Sequence, residues 1–383
     1  MTVTGPLGFR AAGVAAGLKA SGGADVAVVL NDGPSRAAAG VFTSNRVKAA
    51  PVRWSEQVVG GGQVSAVVLN SGGANACTGP AGFADTRQTA EHLAAALSVP
   101  PGEIAVCSTG LIGERLPMHR LLAGVDAAVA SASVAGGQAA ARAIMTTDTV
   151  PKTCCLQGAG YLIGGMAKGA AMLAPALATM LVVLTTDADL PVGDLDLALR
   201  DAVRTTFNRL DSDGCMSTND AVLLAASGIS SARPAPDEFS HLLTAACADL
   251  ASQLAADAEG ASKAISIEVT GAATEDDAVA AGRAVARCNL LKCAITGEDP
   301  NWGRVLAAVG TTSVAFDPDQ LSVAMNGVWV CRNGAPGADR SEVDLSGRDV
   351  TITIDLAAGQ AGATVLTTDL TAAYVHENSA YST

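Results

Sequence analysis

Met166-Ala-Lys168-Gly-Ala-Ala-Met-Leu-Ala-Pro175-Ala-Leu-Ala178-Thr179-Met-Leu-Val-Val-Leu184-Thr-Thr-Asp187 changes character midway. It begins as a small-residue, turn-rich segment around Lys168 and Gly169, passes Pro175, and at Thr179 becomes a β-branched apolar run that reads as a buried strand. If the Ala178–Thr179 bond were cut, Thr179 would head a strand anchored in the core, with a hydroxyl nucleophile and a free α-amine on one residue. Such an amine has an ordinary pKa of about 7.7 to 8, so near neutral pH an appreciable fraction can take the hydroxyl's proton. An uncut interior strand fits the same letters, and local pattern leaves both readings open.

Working outward, 383 residues of which 49% are hydrophobic suffice for a sizeable core in one large domain or two ordinary ones. Aromatics make up only 3%, so that core is built from closely approaching small side chains. A net charge of −13 argues against nucleic acid or an anionic membrane as partner, since both reward Lys and Arg. Nine cysteines, with no Cys-x-x-Cys pair, read as reduced cytosolic residues, and four scattered histidines give a zinc site little support. Neither a signal sequence nor an apolar run of spanning length is present, so the expected location is the cytoplasm.

Buried strands are expected at Val26–Leu30, Val64–Leu69 and Glu103–Cys107, and helix over Thr86–Leu97 and Leu116–Met145 with a break at Gly136-Gly137. The Gly-rich turn Asn70–Gly79 lacks the Lys-Ser/Thr ending of a nucleotide loop. Ser108-Thr109-Gly110 ends a strand, where a tight turn can aim a hydroxyl and backbone amides into one pocket; a plain strand-to-helix turn is the alternative. A hairpin, Thr153–Gln157 with Tyr161–Gly165, leads to Lys168. In so acidic a chain that lysine could neutralise a substrate carboxylate, or simply be solvated. Beyond Thr179 the pattern predicts helices over Val192–Phe207, Asp237–Ala258 and Asp276–Lys292, then a β-rich remainder from Thr312–Phe316 to Gly362–Leu370. Asp211-Ser-Asp213-Gly214 resembles part of a calcium loop but lacks its later glutamate. The last residues, Tyr374–Thr383, read as a frayed end.

Several blocks, in order, resemble the bifunctional ornithine acetyltransferase / glutamate N-acetyltransferase family of arginine biosynthesis. They are Ser44-Asn-Arg-Val-Lys-Ala-Ala-Pro51, Ser108-Thr-Gly-Leu-Ile-Gly113, Lys168-Gly-Ala-Ala-Met-Leu-Ala-Pro-Ala-Leu-Ala-Thr179, Asp213–Asp220, Asp257-Ala-Glu-Gly-Ala-Ser-Lys263 and Lys292–Arg304. One position departs: Ala176 stands where the family often has Asn or Asp. The resemblance implies an α+β fold of layered helices and mixed β-sheets, similar in logic to N-terminal-nucleophile hydrolases. It also implies self-cleavage between Ala178 and Thr179, giving an α chain (1–178) and a β chain (179–383) that assemble as α2β2. By the same match Thr179 is the nucleophile, Thr109 and Gly110 form the oxyanion hole, and Thr147, Lys168, Thr179, Glu259, Asn378 and Thr383 bind substrate.

The implied reaction is ping-pong acetyl transfer from N-acetylornithine to glutamate through acetyl-Thr179. No cofactor or metal is implied, and use of acetyl-CoA as a further acetyl donor stays open. Two other readings stay open on the residues alone: a self-processing amidase or aminopeptidase that passes its acyl group to water, and an unprocessed binding protein in which Thr179 is a strand residue.

Overall fold

A computed structural model describes residues 2–172 and 180–380. The first part of the chain contains β1 (Phe9–Val14), β2 (Val26–Asn31), β3 (Ala38–Phe42), α1 (Ala50–Gly60), β4 (Ala66–Ser71), α2 (Gly79–Leu97), β5 (Ile104–Thr109), α3 (Met118–Ser131) and α4 (Gly137–Ala143). There follow β6 (Lys152–Gln157), β7 (Leu162–Lys168), β8 (Leu181–Thr186), α5 (Val192–Thr205), β9 (Ala221–Ala226) and α6 (Pro236–Ala256). The last part holds β10 (Ala264–Ala272), α7 (Glu275–Ala286), α8 (Asn289–Thr296), α9 (Trp302–Val309), β11 (Ser322–Met325), β12 (Val328–Arg332), β13 (Ala335–Pro336), β14 (Asp349–Asp355), β15 (Ala361–Thr368) and α10 (Ala372–Ala380).

These strands form three mixed sheets, ordered β1-β2-β4-β5, β3-β9-β8-β7-β6 and β13-β12-β11-β14-β10-β15. The first two stack face to face. In β2 and its neighbours, Val26, Val28, Leu30, Val68 and Val106 point to helices α2 and α3, where Leu93, Leu121 and Val125 meet them. The intervening Ala27, Val29, Val67, Leu69 and Ala105 point the other way, onto Met166, Leu181, Val183 and Leu223 of the second sheet. The opposite face of that sheet, with Val182, Leu184, Val222 and Leu224, packs on Leu195 and Leu199 of α5 and Leu243 and Leu250 of α6.

The result is a helix–sheet–sheet–helix sandwich. Every residue of β2, β4, β5, β8 and β9 is buried because helices or another sheet cover both faces. That is why these strands read as unbroken apolar runs rather than alternating ones. Each large aliphatic side chain so enclosed contributes roughly 1.5–3 kcal/mol by leaving water. The third sheet has its own apolar core, formed with α7, α8 and α9.

The structure bears out the α+β class, the strands at Val26, Val64 and Glu103, the hairpin before Lys168 and the strand after it. It departs from expectation in three places. Residues 312–316 form no strand. The helix expected over Asp276–Lys292 is two, separated at Arg287 and Cys288, where Cys288 turns extended (φ −76°, ψ 95°). The tail is helical through residue 380: α10 reaches back to the body of the molecule, Asn378 Nδ2 donating to Glu259 Oε2 (3.0 Å). Short β1, β3, β9 and helix α1 were not anticipated.

Candidate active site

Three chain segments converge where the two stacked sheets end. Thr109 is the last residue of β5, and its carbonyl accepts from the backbone N–H groups of both Gly72 and Gly73 at 3.0 Å. Gly110 follows with φ +130°, and a Cβ there would lie 2.5 Å from the Gly73 nitrogen, so only glycine fits. Asn219 joins the same turns: its Nδ2 donates to the carbonyls of Ala74 (2.7 Å) and Ser108 (2.8 Å). Asn70 adds a brace, its Oδ1 accepting from the Ser108 hydroxyl (2.6 Å) and its Nδ2 donating to the Gly73 carbonyl (3.1 Å).

Lys168 ends β7 and is only 1% exposed. Its Nζ donates to the Thr109 Oγ1 at 3.4 Å. Burial holds its ammonium below the ordinary lysine range; Asp148 opposes that effect and the like charge of Lys152 adds to it. The backbone beside it is fixed by Asp148, whose Oδ1 accepts from the Gly169 N–H (2.7 Å) and from Lys152 Nζ (2.6 Å) while Oδ2 accepts from the Thr146 N–H (3.0 Å). Lys152, itself unexposed, also donates to Asp257 Oδ2 at 2.5 Å, and Asp257 holds the Thr149 N–H (2.9 Å). These buried ions are paired and hydrogen-bonded, the condition under which buried charge is tolerated. They set the loop that carries Thr146 and Thr147 against the cavity.

Opposite stands Glu259, nearly buried, its N–H bonded to the Ala170 carbonyl (2.9 Å) and its Oε2 accepting from Asn378 Nδ2 (3.0 Å). Thr109, Gly110, Thr147, Lys168, Glu259 and Asn378 therefore line one cavity of about 100 Å³. All six were singled out from the sequence. Ala178, Thr179 and Thr383 lie outside the described residues. Sequence reading missed the roles of Asn219, Asp148 and Lys152. The spacing of Asp148 and Lys152, four apart beside a strand, was a signal of pairing, whereas nothing local marks Asn219 as the clamp between two loops.

A cavity faced by a buried cation, a turn rich in backbone amides and a carboxylate defines a small-molecule enzyme site suited to acyl chemistry. The sequence matches the ArgJ family over residues 10–383, and the chain belongs to that family. It is 68% identical over 383 residues to the arginine biosynthesis bifunctional protein ArgJ of Thermobifida fusca, with 100% of each chain covered. Identity to the ArgJ protein of Mycobacterium tuberculosis is 59% over 390 residues, covering 99% of this chain and 96% of the relative. Among solved structures, ornithine acetyltransferase of Mycobacterium tuberculosis complexed with ornithine is 57% identical, covers 47% of this chain and 96% of its own, and gives a TM-score of 0.43. Among the described residues no helix is long and apolar enough to cross a membrane.

Proposed function

We propose that this protein is an acetyltransferase of arginine biosynthesis, a glutamate N-acetyltransferase that takes its acetyl group from N-acetylornithine. The observation that carries the reading is the convergence of Lys168, the Thr109–Gly110 turn and the Glu259–Asn378 pair on one cavity. The names of the relatives, arginine biosynthesis bifunctional protein, agree with it.

In this account water adds across the Ala178–Thr179 peptide bond, giving a new carboxylate and a new amine. The Thr179 hydroxyl then attacks the acetyl carbonyl of N-acetylornithine while its proton passes to the α-amine. Negative charge gathering on the carbonyl oxygen meets the Thr109 hydroxyl and the Gly110 amide. The C–N bond breaks, and ornithine leaves with the proton. Glutamate's amine attacks the resulting ester, and the threonine hydroxyl is restored. Lys168 suits the substrate carboxylate and Glu259 a cationic amine. Thr147, Asn378 and Thr383 complete the substrate-binding set, and acetyl-CoA as a second acetyl donor agrees with the bifunctional names of the relatives.

Supporting the location of the nucleophile, Leu181, two residues beyond Thr179, pairs with Lys168 across β8 and β7, which puts the start of β8 beside the cavity. Once cut, the two chains would share the second sheet, β3, β6 and β7 from one and β8 and β9 from the other. Shared strands of this kind keep them together, and we assign an α2β2 assembly in the cytoplasm. The test is incubation of purified wild type and Thr179→Ala with N-acetylornithine and labelled glutamate. Wild type should run as two fragments dividing at 178/179 and form N-acetylglutamate, while the variant should stay whole and inert. Transfer by the uncut variant would overturn the assignment, and release of free acetate independent of glutamate would make the protein a hydrolase.

A further inference from the structure

Strands β8 and β9 run parallel, with Leu181 opposite Ala221. Where the two strands begin, their backbones are joined twice. The Ala221 N–H donates to the Met180 carbonyl (3.2 Å), and the Met180 N–H donates to Asp220 Oδ1 (3.1 Å). A backbone acceptor is what this place in a parallel ladder ordinarily offers; here a carboxylate side chain supplies it.

Asp220 is fully enclosed, at 0% exposure, and its other oxygen, Oδ2, is buried with no hydrogen-bond partner. An enclosed carboxyl with one oxygen unused is costly, because desolvation is not repaid by a bond. Burial accordingly holds it well above the usual carboxylate range, against the pull of the Met180 amide, the nearby Ser217 and Thr43 hydroxyls and Lys168, none of which reaches Oδ2 in hydrogen-bonding geometry. Were fixing the Met180 amide its whole purpose, one oxygen would be enough, and a neutral amide side chain would supply it without the burden of a buried acid. The unused oxygen is explained if a donor arrives there at another stage in the life of the chain.

Cutting the bond before Thr179 creates such a donor. Covalent geometry sets the nitrogens of consecutive residues only about 3 Å apart, so an α-amine on residue 179 is generated beside the Met180 nitrogen that Asp220 already holds. We propose that Asp220 is a positioning residue: Oδ1 fixes the Met180 amide, and Oδ2 accepts a hydrogen bond from the α-amine of Thr179 in the cut chain, turning that amine toward the threonine hydroxyl. This inference rests on Thr179 being the nucleophile. Asp220 exchanges no atoms with substrate. It settles the direction in which the amine's lone pair and protons point; an ammonium formed there favours ionisation of the buried carboxyl, and the carboxylate so formed raises the amine's affinity for a proton.

The full-length Asp220→Asn variant keeps the acceptor for Met180 and loses the counter-charge. In the fraction that is cut, kcat for acetyl transfer should fall about tenfold or more, with KM for N-acetylornithine changed less than twofold. The acid limb of the kcat–pH profile should move to lower pH, since the amine loses its counter-charge; a role confined to holding the strand would leave that limb in place. Wild-type kcat and pH profile in the cut variant would overturn the proposal.

A second measurement needs no variant. In cut wild-type protein, pH-dependent labelling of the Thr179 amine by an amine-selective isothiocyanate, read by mass spectrometry, should give a pKa above about 8, the ordinary value for a chain terminus. A value at or below the ordinary one would equally overturn it. Thr179→Ala separates the two levels. Retained transfer in that variant removes the proposed reaction itself, whereas an inert Thr179→Ala beside a normal Asp220→Asn removes only the role of Asp220.

Discussion

The β3-β9-β8-β7-β6 sheet and the β13-β12-β11-β14-β10-β15 sheet solve different problems. The first lies between another sheet and two helices, and yet around its ends it encloses Lys152, Lys168, Asp148 and Asp220, each under 8% exposed. The second confines its buried ions, Lys263, Lys292 and Asp369, to the end where β10 begins and β15 stops, and the interiors of its strands are apolar. Ile265, Ile267, Val269, Ile352 and Ile354 alternate along β10 and β14 with half-buried or exposed polar residues, and pack on α7 and its neighbours. An ionised group inside a covered sheet must be held by partners or it destabilises the fold. The difference therefore teaches where stability has been conceded to chemistry. The first sheet carries Lys168 and borders the candidate cavity, while the second is a scaffold that delivers little to that cavity beyond the helix bearing Asn378.

If that contrast is right, substitutions in the two sheets should separate activity from stability. The largest effect is expected at Lys168. Lys168→Met removes the cation facing the cavity and nearly preserves volume, while Asp148 keeps Lys152 as partner. Acetyl-transfer kcat/KM should drop on the order of a hundredfold or more, in keeping with about 3 kcal/mol for a desolvated charge-assisted contact. The midpoint of thermal unfolding should change little or rise, because a buried charge has gone. Activity near wild type would break the contrast. Ile267→Ala, at 0% exposure in the second sheet, should do the reverse. It should cost roughly 2–5 kcal/mol in denaturant unfolding and leave kcat/KM of the folded enzyme unchanged.

The same contrast explains what could be read before the structure. Doubly covered strands announce themselves as unbroken apolar runs, so Val26–Leu30 and Val64–Leu69 were legible, and the alternation of Val350-Thr-Ile-Thr-Ile-Asp355 gave the half-exposed scaffold. Candidate-site residues in dense blocks, such as Ser108-Thr109-Gly110, were legible through their resemblance to a family; their local pattern alone favoured a plain turn. Residues 312–316 have strand-like letters without a strand, since β-propensity acts only where a partner strand is on offer. Asn219 and Asp220 were opaque for a related reason. Their work is done across 111 residues to Ser108 and 40 to Met180, and no window of sequence records a contact made by tertiary packing.

Acid sharpens the comparison by a smaller margin. Asp148 is buried, which alone would push its carboxyl up, but the charges of Lys168 and Lys152, with the Gly169 N–H, bring it down to about 2 from an ordinary 3.8. A folded-state pKa below the unfolded one means that the unfolded chain takes up the proton first. The contribution is therefore fully present above about pH 4 and is lost as pH falls from there through 2. By that shift it is worth on the order of 2 kcal/mol. Asp148→Asn should lose a comparable amount near neutrality, and its unfolding free energy should fall less steeply between pH 4 and 2 than that of wild type. Ile267→Ala, in an apolar strand interior, should instead be displaced downward by the same amount at every pH. If the two variants gave parallel curves, the ion cluster beside Lys168 would be no different in kind from the apolar scaffold, and the division of labour between the sheets would not hold.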